Sequence, residues 1–123
     1  MKSQIYTASP DRSERASIKT ITDNKELHEI VDQFQSATFL AVDTEFMRER
    51  TYYPQLCLVQ ISDGTNAVAI DPLAKGLDLT LLWTLMRDKK IVKVFHAGQQ
   101  DMEIFLHQMG QLPAPIYDTQ LAA

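Results

Sequence analysis

The chain has 123 residues, 45% of them apolar and 23% charged, and carries a formal net charge of −4. That length suits one domain with one core and argues against two. The acidic balance excludes a protein that coats nucleic acid by charge alone, but not an enzyme whose metal site is itself built from carboxylates.

Residues 1–16 are rich in Ser, Arg, Asp and Glu and show little periodicity. A flexible tail is expected there, without the apolar core of a secretory signal, followed by one domain over 17–123. No apolar run approaches the roughly 18 residues of a membrane span, so a soluble cytoplasmic protein is expected. Ile18 to Ile21 alternates like a short edge strand. Asp23 has the chemistry of a helix N-cap, with Glu26 three residues on as a variant capping box. Leu27, Ile30, Val31 and Phe34 then mark one helical face.

Thr38 to Phe46 predicts an apolar strand that ends in acids, and Gln55 to Ser62 a second strand. Cys57 lies in the second, within Leu56-Cys57-Leu58-Val59, and a buried inert thiol is expected. As the only cysteine it excludes an internal disulfide and a cysteine-based zinc site, and it suits a reducing compartment. Asp63-Gly64 is a turn signal, Ala67 to Ile70 a third strand, and Asp71-Pro72 its end. Leu81, Leu82, Leu85 and Met86 predict a helix that stops near Asp88. Ile91 to Phe95 is a further strand. Met102, Phe105, Leu106 and Met109 repeat helical spacing, with Gly110 as the stop. A short strand around Ile116-Tyr117 follows, and Asp118 is placed to cap another helix. Tight turns early and helical crossovers later imply antiparallel, then parallel, pairing. The fold class is therefore α/β with a mixed sheet.

Asp43 and Glu45 stand two apart on a strand and share a face. Side by side they repel unless something positive lies between them, and oxygen-only donors suit Mg²⁺ or Mn²⁺. Alone, the pair is a weak signal, since acids at a strand end often just face water. Asp101 falls in the first turn of a helix, where the helix dipole favours a carboxylate with or without a metal.

Together, FLAVDTEFMRERTYYPQLCLVQISDG, IDPL, VFHAGQQDMEIF and LPAPIYDTQLAA closely resemble ribonuclease D, over roughly Ile18 to Ala123. The resemblance implies a ribonuclease H-like sheet flanked by helices and a 3′–5′ exonuclease with four metal-binding acids. It implies that Asp43, Glu45 and Asp101 are catalytic and metal-binding: Asp43 bridging two ions, Glu45 holding the ion of the attacking water, Asp101 on the other through water. Two such ions about 4 Å apart suit an in-line displacement. The implied partners are single-stranded RNA 3′ ends, as in trimming of tRNA and small RNAs, and the implied product is a 5′-mononucleotide.

Arg48, Arg50, Tyr52 and Tyr53 follow closely; they read equally as phosphate and base contacts or as a solvated loop with tyrosines on the core. Gln55 is a candidate contact for the terminal nucleotide. His96 is a candidate substrate contact, but a hydrogen-bonded scaffold residue is the expected role. Asp118 is expected to cap rather than to ligate. The family's Tyr-x-x-x-Asp segment and its downstream RNA-binding domains have no counterpart after Asp118. The chain is therefore expected to be a truncated and weakly active or inactive portion. The competing readings are an inactive nucleic-acid-binding or interaction fragment and a proofreading-type DNA exonuclease.

Overall fold

A computed structural model describes residues 18–47, 55–96 and 98–122. The expected tail over residues 1–16 lies outside these. Apolar alternation builds the strands: β1 Lys19–Ile21, β2 Phe39–Met47, β3 Gln55–Ser62, β4 Ala67–Ile70, β5 Val92–Phe95 and β6 Ile116–Asp118. Among the described residues they form one sheet in the order β1-β4-β3-β2-β5-β6. The β2–β3 and β3–β4 pairs are antiparallel, and β1–β4, β2–β5 and β5–β6 are parallel. This is the mixed sheet the turns and crossovers imply.

The helices are α1 Asn24–Phe34, α2 Thr80–Arg87, α3 Gln99–Met109 and α4 Thr119–Ala122. Asp23 caps α1 as expected, accepting the Glu26 amide at 2.8 Å. Glu26 does not close the capping box with its side chain; it pairs with Lys19 at 3.0 Å. Gly110 ends α3 at φ 79°, a backbone that side chains with a Cβ rarely adopt.

One sheet face carries the core. Leu40 and Val42 of β2, Val59 and Ile61 of β3, and Val68 and Ile70 of β4 pack in one cluster with Leu27, Val31 and Phe34 of α1, Leu82, Leu85 and Met86 of α2, and Ile104 and Phe105 of α3. Phe105 meets Trp83 and Phe95 edge-on, each with ring centroids 6.0 Å apart, which seats α3 against α2 and β5. The opposite face presents Phe39 and Met47 of β2, both exposed.

Two expectations are corrected. Helix α3 buries Asp101, Ile104 and Phe105, while Leu106 is exposed. Phe105 is buried and Met102 and Met109 pack partly buried against the core as expected, but the stripe runs on through Asp101 and Ile104 in place of Leu106. Cys57 is half-buried rather than buried. It is the extra residue of a β-bulge: Glu45 pairs with Leu58 and Phe46 with Leu56, so Cys57 has no cross-strand partner. Its thiol donates to the Gln55 carbonyl at 3.4 Å.

Candidate metal centre

Strand β2 carries Asp43, Thr44 and Glu45 in its C-terminal half. Alternation puts Asp43 and Glu45 on one face and Thr44 on the other, toward the core. Asp43 is 3% exposed, Thr44 1%, and Glu45 is partly exposed. The bulge lies directly across from Glu45 and Phe46, and a bulge beside a site re-aims the side chains it faces.

Asp101 arrives from the other side. It is the third residue of α3 and has no exposed surface. The Thr44 hydroxyl donates to Asp101 Oδ1 in a short hydrogen bond. The Thr44 amide donates to Asp43 Oδ1 at 3.1 Å. Residue 44 thus contacts two of the three acids, one through its side chain and one through its backbone. Among the described residues no group of three or more His, Cys, Asp or Glu side chains is gathered closely enough to hold a metal ion. The structure therefore brings Asp101 to the residue between Asp43 and Glu45, and it does not close all three carboxylates around one point.

Two buried carboxylates and a third at the surface are hard oxygen donors that carry only negative charge, the set Mg²⁺ and Mn²⁺ prefer. Buried carboxylates are unfavourable unless positive charge or hydrogen bonds compensate them. The residues fit the group.

The α3 N-terminus is held from outside the helix. Gly98, the N-cap, has no side chain to cap with; its amide donates to Asp118 Oδ2 at 2.8 Å. A Cβ at position 98 would lie 2.7 Å from the Phe95 Cβ, so glycine is what allows this close turn. Asp118 Oδ1 also accepts the Gln120 amide at 2.9 Å, capping α4 as expected. His96 Nδ1 lies 2.8 Å from the Thr119 hydroxyl, and that hydroxyl lies 3.4 Å from the Phe95 carbonyl as its donor. His96 therefore joins the scaffold between β5 and α4, as expected.

Arg48, Arg50, Tyr52 and Tyr53 lie outside the described residues. Gln55 is exposed at the start of β3, across from Met47. Two residues escape sequence reasoning. Thr44 is hidden inside the acid motif. Lys93 sits on the core face of β5 with no exposed surface, donating to the carbonyls of Asp88 and Ala114, the latter at 2.9 Å. Burial pulls its ammonium down to about 8, opposed by the nearby Asp88. The alternation of Ile91, Lys93 and Phe95 carried that signal. No helix among the described residues is long and apolar enough to cross a membrane.

A family model for 3′–5′ exonuclease domains matches residues 18–123. The chain is 53% identical over 104 residues to a ribonuclease D of Zymomonas mobilis, covering 84% of this chain and 27% of that protein. The crystal structure of Escherichia coli RNase D, an exoribonuclease involved in structured RNA processing, superposes with a TM-score of 0.80 at 42% identity, covering 85% of this chain and 28% of that one. Brucella melitensis NrnC with bound Mg²⁺ is similar with a TM-score of 0.66 at 28% identity, covering 85% and 48%. The chain thus spans about a quarter of the length of the curated relatives it matches.

Proposed function

The chain belongs to the 3′–5′ exonuclease family, and on that footing we propose that it is the metal-binding portion of a ribonuclease D-like exoribonuclease, one that hydrolyses 3′-terminal phosphodiester bonds of single-stranded RNA. The observation that carries this reading is the pair of buried acids, Asp43 and Asp101, both hydrogen-bonded to Thr44 from separate elements. Asp43, Glu45 and Asp101 are the residues that hold the metal. Bound divalent ions, two in this reading and either Mg²⁺ or Mn²⁺, lower the pKa of the attacking water and neutralise charge at the leaving 3′ oxygen. The chain's own contribution is to fix the acids. Strand β2 aims Asp43 and Glu45 from one face, and helix α3 brings Asp101 within reach of Thr44. Burial of Asp43 and Asp101 keeps competing water from both and strengthens their attraction for a cation.

The reading extends to a cytoplasmic protein with the exonuclease portion over 17–123 and a tail before it. Its substrates are tRNA and small-RNA 3′ ends. Arg48, Arg50 and Tyr53 hold phosphates and bases, with Gln55 and His96 as further contacts. The test is a single-stranded RNA labelled at its 5′ end, incubated with the chain and Mn²⁺, beside a DNA of the same sequence. Stepwise shortening of the RNA ahead of the DNA, abolished by chelation, is expected. Binding without shortening would replace the reading with a non-catalytic module. Shortening of DNA ahead of RNA would replace it with a proofreading-type activity.

A further inference from the structure

The geometry points to Thr44 as a positioning residue that sets Asp101 relative to Asp43 for cation uptake; this rests on the metal reading proposed above. Thr44 is hydrogen-bonded to both buried acids: amide to Asp43 Oδ1 and hydroxyl to Asp101 Oδ1. The two bonds differ in kind. The amide bond is fixed by the backbone of β2. The hydroxyl bond crosses between elements 57 residues apart in sequence and is made by the side chain alone.

A threonine in a strand has few χ1 options, so its hydroxyl is aimed rather than free to turn. Thr44 and Asp101 are both buried, so water does not compete for the contact. The start of α3 has no cap from its own side chains. The Thr44 hydroxyl ties the first turn of α3 to β2, while the Gly98–Asp118 bond ties it to β6. A bond from a neighbouring group to a metal-holding carboxylate sets which way its oxygens face. Removing such partners usually weakens metal binding about tenfold to a hundredfold.

The test uses two substitutions in the whole chain. Thr44→Val keeps size and branching and removes the hydroxyl; Thr44→Ser keeps the hydroxyl. Mn²⁺ affinity is measured by calorimetry on protein verified as folded by circular dichroism. The Asp101 carboxyl ¹³C resonance is followed separately in metal-free protein. Thr44→Val is expected to bind Mn²⁺ about tenfold to a hundredfold more weakly and to move the Asp101 resonance, with Thr44→Ser close to wild type in both. An unmoved resonance in Thr44→Val overturns the proposal whatever the metal does. So does a moved resonance with wild-type Mn²⁺ affinity, which would leave Thr44 a structural residue only. Wild-type protein that takes up no Mn²⁺ sinks the metal reading itself, a result separate from the other two.

Discussion

Lys93 lies within β5 and Asp101 in the helix that follows it, and both are buried without exposed surface, yet their surroundings differ in kind. Lys93 is met by backbone carbonyls of Asp88 and Ala114, groups held in place by a turn and by the run into β6. A cation caged in that way clamps two pieces of chain together and has no call on a ligand. Asp101 is met by a side-chain hydroxyl, beside a strand that carries two more acids. Negative charge gathered in this way favours a cation. Position agrees: Asp101 follows the C-terminal end of β5 and lies against the C-terminal part of β2, the edge of an α/β sheet where ligands bind. Burial of charge alone therefore does not mark a site; what surrounds the charge does.

The largest expected effect would break this contrast if it failed. Asp101→Asn keeps shape and removes the charge. It should lower the rate of RNA shortening by about a hundred- to a thousandfold, the scale seen when one electrostatic group of an active site is lost. Thermal stability should hold or rise, since a buried charge gives way to a neutral group of equal size. A full-rate Asp101→Asn enzyme, measured on the labelled RNA, would place Asp101 among the structural residues with Lys93.

How much of this was legible in the sequence follows the same division. The strands and the mixed pairing were readable because alternation and turn residues are local signals. The acids at 43, 45 and 101 were readable because a motif puts them in order. What escaped depends on contacts between distant segments. The buried stripe of α3 was drawn through Leu106, because hydrophobic spacing treats an acid as solvent-facing; the stripe runs through Asp101 and Ile104 instead. The bulge at Cys57 was hidden within a continuous apolar run, where nothing local says which residue is left out of the ladder. The role of Thr44 depends on a partner 57 residues away and has no local signature at all.

The Lys93 region should respond in stability and not in chemistry. Lys93→Ala leaves a cavity and takes a donor from the Ala114 carbonyl and from the Asp88 carbonyl, the latter keeping the Ile91 amide, and should destabilise the fold by about 2–5 kcal/mol, while Mn²⁺ affinity of the folded protein stays as in wild type. The pH dependence gives a second reading. Lys93 titrates near 8 in the fold against an ordinary 10.5. Between those values the unfolded chain keeps a proton the native chain has released, so the unfolded state binds more protons and stability from this group rises with pH. Lys93→Met should lose that rise. Urea midpoints followed across the window from about 8 to 10.5 measure it, and an unchanged slope in Lys93→Met would show that the ammonium is not desolvated.

The smallest effects sharpen the contrast most finely, because two caps of the same chemistry serve different ends. Asp23 caps α1 through the Glu26 amide, and Asp118 caps α4 through the Gln120 amide. Losing either carboxylate to alanine should cost about 1 kcal/mol, seen as a few degrees in melting temperature. Only Asp118 also holds the Gly98 amide at the start of the helix that carries Asp101. Asp118→Ala should therefore weaken Mn²⁺ binding as well, and Asp23→Ala should not. Equal Mn²⁺ affinities in the two variants would mean that the first turn of α3 is fixed by Thr44 and core packing alone, with Asp118 a cap and nothing more.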